Sequence, residues 1–75
     1  MTKNRVRFQA DARQWDVQEL WVRVYNAGEK DNISQTTVLR LYRNPNYMAS
    51  IARLEALARV FGVKTTELIE DNDKE

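Results

Sequence analysis

Between Ser34 and Asn44 the chain sets out an amide, hydroxyls and two guanidinium groups with no carboxylate among them: Gln35, Thr36, Thr37, Arg40 and Arg43, with Leu39 in their midst. These groups suit a polyanion with readable edges. Gln pairs bidentately with adenine and Arg with guanine, Thr or an aliphatic group touches a thymine methyl, and the free N–H groups at a helix start attract phosphate. The same residue types are ordinary on a solvated surface, so composition alone leaves that reading open. The charge pattern weighs against it, because no acidic residue lies between Ile33 and Arg53 in a chain of 75 residues with 11 Asp and Glu.

The spacing predicts a helix that Ser34 caps and that ends at Asn44-Pro45-Asn46, where proline breaks the chain. With Val38 set at zero, Leu41 lies at about 300°, and Thr36, Arg40 and Arg43 lie at about 160°, 200° and 140° on the opposite side. Leu39 stands at the edge of that outer face, and Tyr42, near 40°, belongs mostly to the inner one. Gln35 projects from the open end.

Other elements must hold this helix. Val17, Leu20, Trp21, Val24 and Ala27 follow a helical stripe, with Asp16 placed to cap it and Gly28 to end it, predicting a helix over 17–27. Ser50 to Phe61 is predicted as another, its stripe formed by Ile51, Leu54, Leu57, Ala58 and Phe61 and its stop by Gly62. Thr65 or Thr66 is then placed to cap a short last helix that buries Leu68 and Ile69. At the N-terminus Arg5 to Phe8 alternate like a strand, but Ala, Gln and Arg favour a helix reaching about Gln14. The expected core is Val6, Trp15, Leu20, Val24, Ile33, Val38, Leu41, Leu54, Leu57, Phe61 and Leu68. The fold class is all-α, a small bundle of four or five short helices.

Composition narrows the function. The chain has no Cys and no His, which removes the commonest nucleophile–base pairs, zinc ligands and disulfides. Asp and Glu remain as acid–base groups, but no carboxylate pair marks a pocket; no enzyme activity, cofactor, metal site or small-molecule substrate is expected. No apolar run approaches the roughly 20 residues needed to span a bilayer, so a cytoplasmic location without membrane attachment is expected. The net charge of +1 is uneven: +3 over residues 1–13, −2 over 14–33, +4 over 34–64 and −4 over 65–75. An acidic end masks a basic body.

The order of parts, an amphipathic helix, a Gly-containing turn and a second helix with a polar outer face, is a helix-turn-helix arrangement. The run from Ile33 to Asn44 resembles the recognition-helix stretch of the Cro and phage-repressor family, Ile51 to Val63 resembles the helix behind it, and Thr65 to Ile69 its closing helix. Arg5 to Trp15 and Asp16 to Leu20 resemble the first helix and the opening of the second. The resemblance implies a lambda-repressor-like domain over 1–70 followed by an acidic, flexible tail over 71–75. It also implies a transcriptional regulator that places the helix from Ser34 to Arg43 in the major groove of double-stranded DNA. Gln35, Thr36, Leu39 and Arg40 would contact bases; Gln18, Ser34, Arg43, Asn44, Asn46 and Tyr47 would contact phosphates. Gln18 stands one position after Val17, where many relatives carry a phosphate-binding Gln.

Several points stay open. The stretch Gly28 to Asn32 makes the connection longer and more acidic than the family's, so the second helix either runs an extra turn or gives way to a loop. Arg5 and Arg7 either track a nucleic-acid backbone or solubilise the N-terminus. Leu39 is a thymine contact, a dimer contact or a scattered exposed leucine. Trp15 and Trp21 are expected in the core rather than as stacking platforms. Relatives act as homodimers, and a homodimer is left open here, no seam being evident; the alternative function is a protein-interaction module of the same fold, such as an antitoxin or adaptor.

Overall fold

Three of the helices begin where a short polar side chain takes up a free backbone N–H. Asp16 Oδ1 accepts from Glu19 N at 2.8 Å, Ser34 Oγ from Thr37 N at 3.2 Å and Ser50 Oγ from Arg53 N at 3.4 Å. The computed structural model, which describes residues 2–71, accordingly starts α2 (Val17–Asn26), α3 (Gln35–Arg43) and α4 (Ile51–Phe61) directly after these caps. They are preceded by β1 (Thr2–Asn4) and α1 (Val6–Ala12), and followed by a 3-10 turn (Thr65–Leu68) and β2 (Ile69–Asp71).

Left-handed residues follow α1, α2 and α4, whereas α3 ends at Asn44 in an extended conformation. Gly28, at φ 79°, lets Glu29 N–H reach the Val24 carbonyl and its own N–H the Tyr25 carbonyl, closing α2. The connection to α3 is therefore a loop, and α2 does not gain an extra turn; Ala27 is the exposed cap rather than a stripe residue. Gly62, at φ 73°, ends α4. Gln14 takes the same conformation at φ 61° after α1, with Trp15 N–H on Ala10 O and Gln14 N–H on Asp11 O. α1 thus stops short of the expected Gln14, at Ala12.

The helices enclose one core. Val6, Leu20, Val24, Ile33, Val38, Leu41, Leu54, Leu57, Phe61 and Leu68 are all buried, as their spacing predicts, together with Ala10, Ala56 and Ala58. Each fully buried leucine contributes roughly 1.5–3 kcal/mol. Trp15 and Trp21 are partly buried against this cluster, Trp15 stacked on Phe61 with ring centroids 5.6 Å apart. Ile51 corrects the expected stripe: it is the first residue of α4, ahead of the turns that meet the core, and is 59% exposed.

The strand pair is the other departure. β1 and β2 run antiparallel, with Lys3 opposite Glu70 and Asn4 opposite Ile69, so the early and late parts of the chain close on each other. Ile69 therefore continues into a strand instead of the last helix, which is a single 3-10 turn capped by Lys64 rather than Thr65 or Thr66. Glu67 closes this turn, its carboxylate accepting the Lys64 N–H at 3.0 Å. Of the expected tail, all but Asp71 lies outside the described residues. The fold remains all-α apart from this small pair, and no helix among the described residues is long and apolar enough to cross a membrane.

Candidate nucleic-acid interface

α3 is anchored by Val38 and Leu41, both completely buried, which turns Thr36, Arg40 and Arg43 outward as the helical spacing requires. Thr36, Leu39, Arg40, Arg43, Asn44 and Tyr47 line one open depression of about 520 Å³. Gln18 and Gln35 meet in an adjoining hollow of about 230 Å³ that also includes Leu39. Leu39, half-buried, is the ridge between the two. α2 and α3 therefore form one continuous surface, and eight of the ten residues expected to meet DNA stand on it. Ser34 and Asn46 lie outside both hollows.

The functional side chains differ in how committed they are. Among the described residues, no side-chain hydrogen bond or ion pair engages Arg40 or Arg43. Arg40 lies over the Tyr47 ring, 5.9 Å from its centroid, which favours a laid-out guanidinium with its N–H edge open. Ser34 is occupied as the cap of α3, and its hydroxyl is also 3.0 Å from Thr37 Oγ1. Asn44 Oδ1 accepts the Asn46 N–H at 3.0 Å, and Asn44 O accepts the Tyr47 N–H at 3.1 Å. The loop's main-chain donors at Asn46 and Tyr47 are thus spent internally, which leaves side chains as its free donors.

The loop that carries Asn44, Asn46 and Tyr47 is held by a residue that the sequence does not single out. Asn4, 5% exposed, is the one buried polar side chain among the described residues. Its Nδ2 donates to Asn44 O at 2.9 Å and to Tyr47 O at 2.7 Å, its Oδ1 accepts the Val6 N–H at 3.0 Å, and its own N–H donates to Pro45 O at 2.8 Å. A lone Asn gives no motif, and its partners lie about forty positions away, so only the fold reveals the clamp.

A second support fixes the turn ahead of α3. Glu29 accepts from Arg59 of α4 through both carboxylate oxygens, at 2.8 and 3.1 Å, and from Asn32 Nδ2 at 2.7 Å. The Arg59 guanidinium first, then the Asn32 amide, hold the Glu29 carboxyl down to about 2, and the pair raises Arg59 further above its ordinary value. Glu29, one of the two acids in the insertion, is thereby paired with a cation.

The architecture of a polar, acid-free helix that follows a turn and packs on α1 and α2 has a counterpart among known families. Residues 5–74 match the Cro/C1-type HTH DNA-binding domain. The chain belongs to the Cro/C1-type helix-turn-helix DNA-binding family. DNA is accordingly its partner, and the match spans every helix, including the divergent turn. No match to the chain was found among curated proteins or among solved structures.

Proposed function

We infer that this Cro/C1-type domain regulates transcription by placing α3 in the major groove of a specific DNA site. Gln35, Thr36, Leu39 and Arg40 read base edges. Gln18, Ser34, Arg43, Asn44, Asn46 and Tyr47 hold the flanking phosphates, fixing the register in which the bases are read. The observation that carries this reading is the outer face of α3, where Arg40 and Arg43 stand exposed and uncommitted beside Thr36 and Leu39 in one open depression.

Sites selected from a randomised duplex library by the unaltered chain and by Arg40→Ala provide the test. The expected result is a consensus that relaxes at one or two positions in the variant, with a loss of about 1–3 kcal/mol on the original site. Identical affinity and consensus for both proteins would remove α3 from the groove. Tight binding to a protein partner with no salt-sensitive DNA affinity would favour the interaction-module alternative.

A further inference from the structure

The basic surface does not stop at the recognition helix. Arg43 also lines a separate depression of about 380 Å³, on its other side, with Arg5, Arg7, Phe8 and Tyr42. The guanidinium carbon of Arg5 lies 4.1 Å from the centroid of the Phe8 ring, and that of Arg7 lies 4.8 Å from the centroid of Tyr42. Phe8 is 55% exposed, a position that buries nothing in the core but gives Arg5 a flat support. A guanidinium laid on an aromatic face keeps its N–H edge free for a planar or phosphate acceptor and loses little side-chain freedom when it binds.

The acidic groups nearby do not cancel this charge. Glu70 lines the same hollow, and Asp11 lies 3.3 Å from Arg7 Nε with both side chains more than half exposed. An exposed pair of that kind is weak and screened by salt, so a phosphate can replace the carboxylate. Three arginines against two carboxylates leave the patch positive, and Arg43 makes it continuous with the depression on α3.

We propose that Arg5 and Arg7 form a second phosphate-binding patch, which takes the DNA backbone flanking the segment read by α3. This rests on the placement of α3 proposed above and extends the interface from α2 and α3 onto α1. Of the two open readings of the N-terminal arginines, it takes the nucleic-acid role. The patch adds affinity and length to the footprint without adding sequence preference, because phosphates carry none.

The test compares the unaltered chain with Arg5→Ala/Arg7→Ala on two duplexes, both carrying the library-selected site. One is extended by about ten base pairs on each side and the other is trimmed flush, and affinity is measured over a range of salt. On the extended duplex the double variant is expected to bind more weakly, its log K against log salt slope shallower by about two. On the trimmed duplex the two proteins should be equal, and Arg5→Lys/Arg7→Lys should keep the original slope. An unchanged slope on the extended duplex overturns the proposal, as does an equal loss on both duplexes. Arg40→Ala, run alongside, separates the two claims. If Arg40→Ala loses affinity while the double variant does not, only the patch is wrong; if Arg40→Ala has no effect, the reading of α3 falls and the patch with it.

Discussion

Arg59 lays its guanidinium edge-on against the carboxylate of Glu29, Nε to Oε2 at 2.8 Å and Nη2 to Oε1 at 3.1 Å, bridging thirty residues of chain. The pair ties the α2–α3 connection to α4. The Glu29 carboxyl sits at about 2 against an ordinary 4.5 because its charged form is the one that Arg59 and Asn32 bind. A depressed carboxyl stabilises the fold fully above pH 4.5, and that contribution is lost as pH falls toward 2. Unfolding curves collected between those values should show an acid-sensitive limb in which the unfolded chain takes up about one more proton than the folded one at this site. Glu29→Gln should remove that proton from the limb and lower the melting temperature at neutral pH. An acid limb identical in the two proteins would contradict the assignment.

Asn4 offers a sharper contrast between two substitutions. Asn4→Ala strips Asn44 O and Tyr47 O of a donor and the Val6 N–H of an acceptor, at a cost of roughly 2–4 kcal/mol of stability. Asn4→Asp keeps the acceptor for Val6 but turns a carboxylate toward two carbonyl oxygens. Its carboxyl should therefore titrate above the usual range, and the variant should be less stable than Asn4→Ala at neutral pH and recover on acidification. Chemical denaturation at pH 5 and pH 7.5 reads this difference directly.

Gln14 holds a left-handed backbone that costs an L-residue about 1–2 kcal/mol. Its side chain is exposed and forms no hydrogen bond among the described residues. Gln14→Gly removes the strain and adds some unfolded-state entropy, for a net gain of about 0.5–1 kcal/mol. The melting temperature should rise by about 2–8 °C. A fall would show that the turn tolerates the side chain better than its φ implies.

Arg43 and Arg40 stand one helical turn apart, yet their substitutions should differ in kind. Arg43→Ala is expected to weaken binding to all duplexes alike and to make the salt slope shallower by about one, as loss of a single phosphate contact does. Competition with unrelated DNA should leave its sequence preference intact. A relaxed consensus instead would move Arg43 from phosphate to base.

Much of this framework was legible in the sequence because it is encoded locally. Asp16 and Ser34 sit one residue ahead of their helices, and Gly28 and Gly62 just beyond theirs, so caps, stops and periodicity place α2 and α3 almost to the residue; α4 follows from its stripe and Gly62, with Ser50 its cap rather than its first residue. The outer face of α3 followed from the burial of Val38 and Leu41 alone. What stayed hidden depends on partners far apart in the chain. Three-residue strands such as β1 and β2 have too little alternation to declare themselves, and each exists through the other. Asn4 and the Glu29–Arg59 pair carry no local pattern. Ile51 fits the apolar stripe by spacing but lies beyond the end of the surface that the stripe covers. The Asn44 to Tyr47 loop was placed correctly beside α3, but its internal hydrogen bonds, and hence the loss of its main-chain donors, required the fold.

If α3 and its flanks form the DNA-binding surface, titration of the isotope-labelled chain with its selected duplex will show it amide by amide. The largest shifts are expected at Gln18 and across residues 34–47, fading as salt is raised. Shifts that cluster elsewhere while residues 34–47 remain unmoved would contradict it.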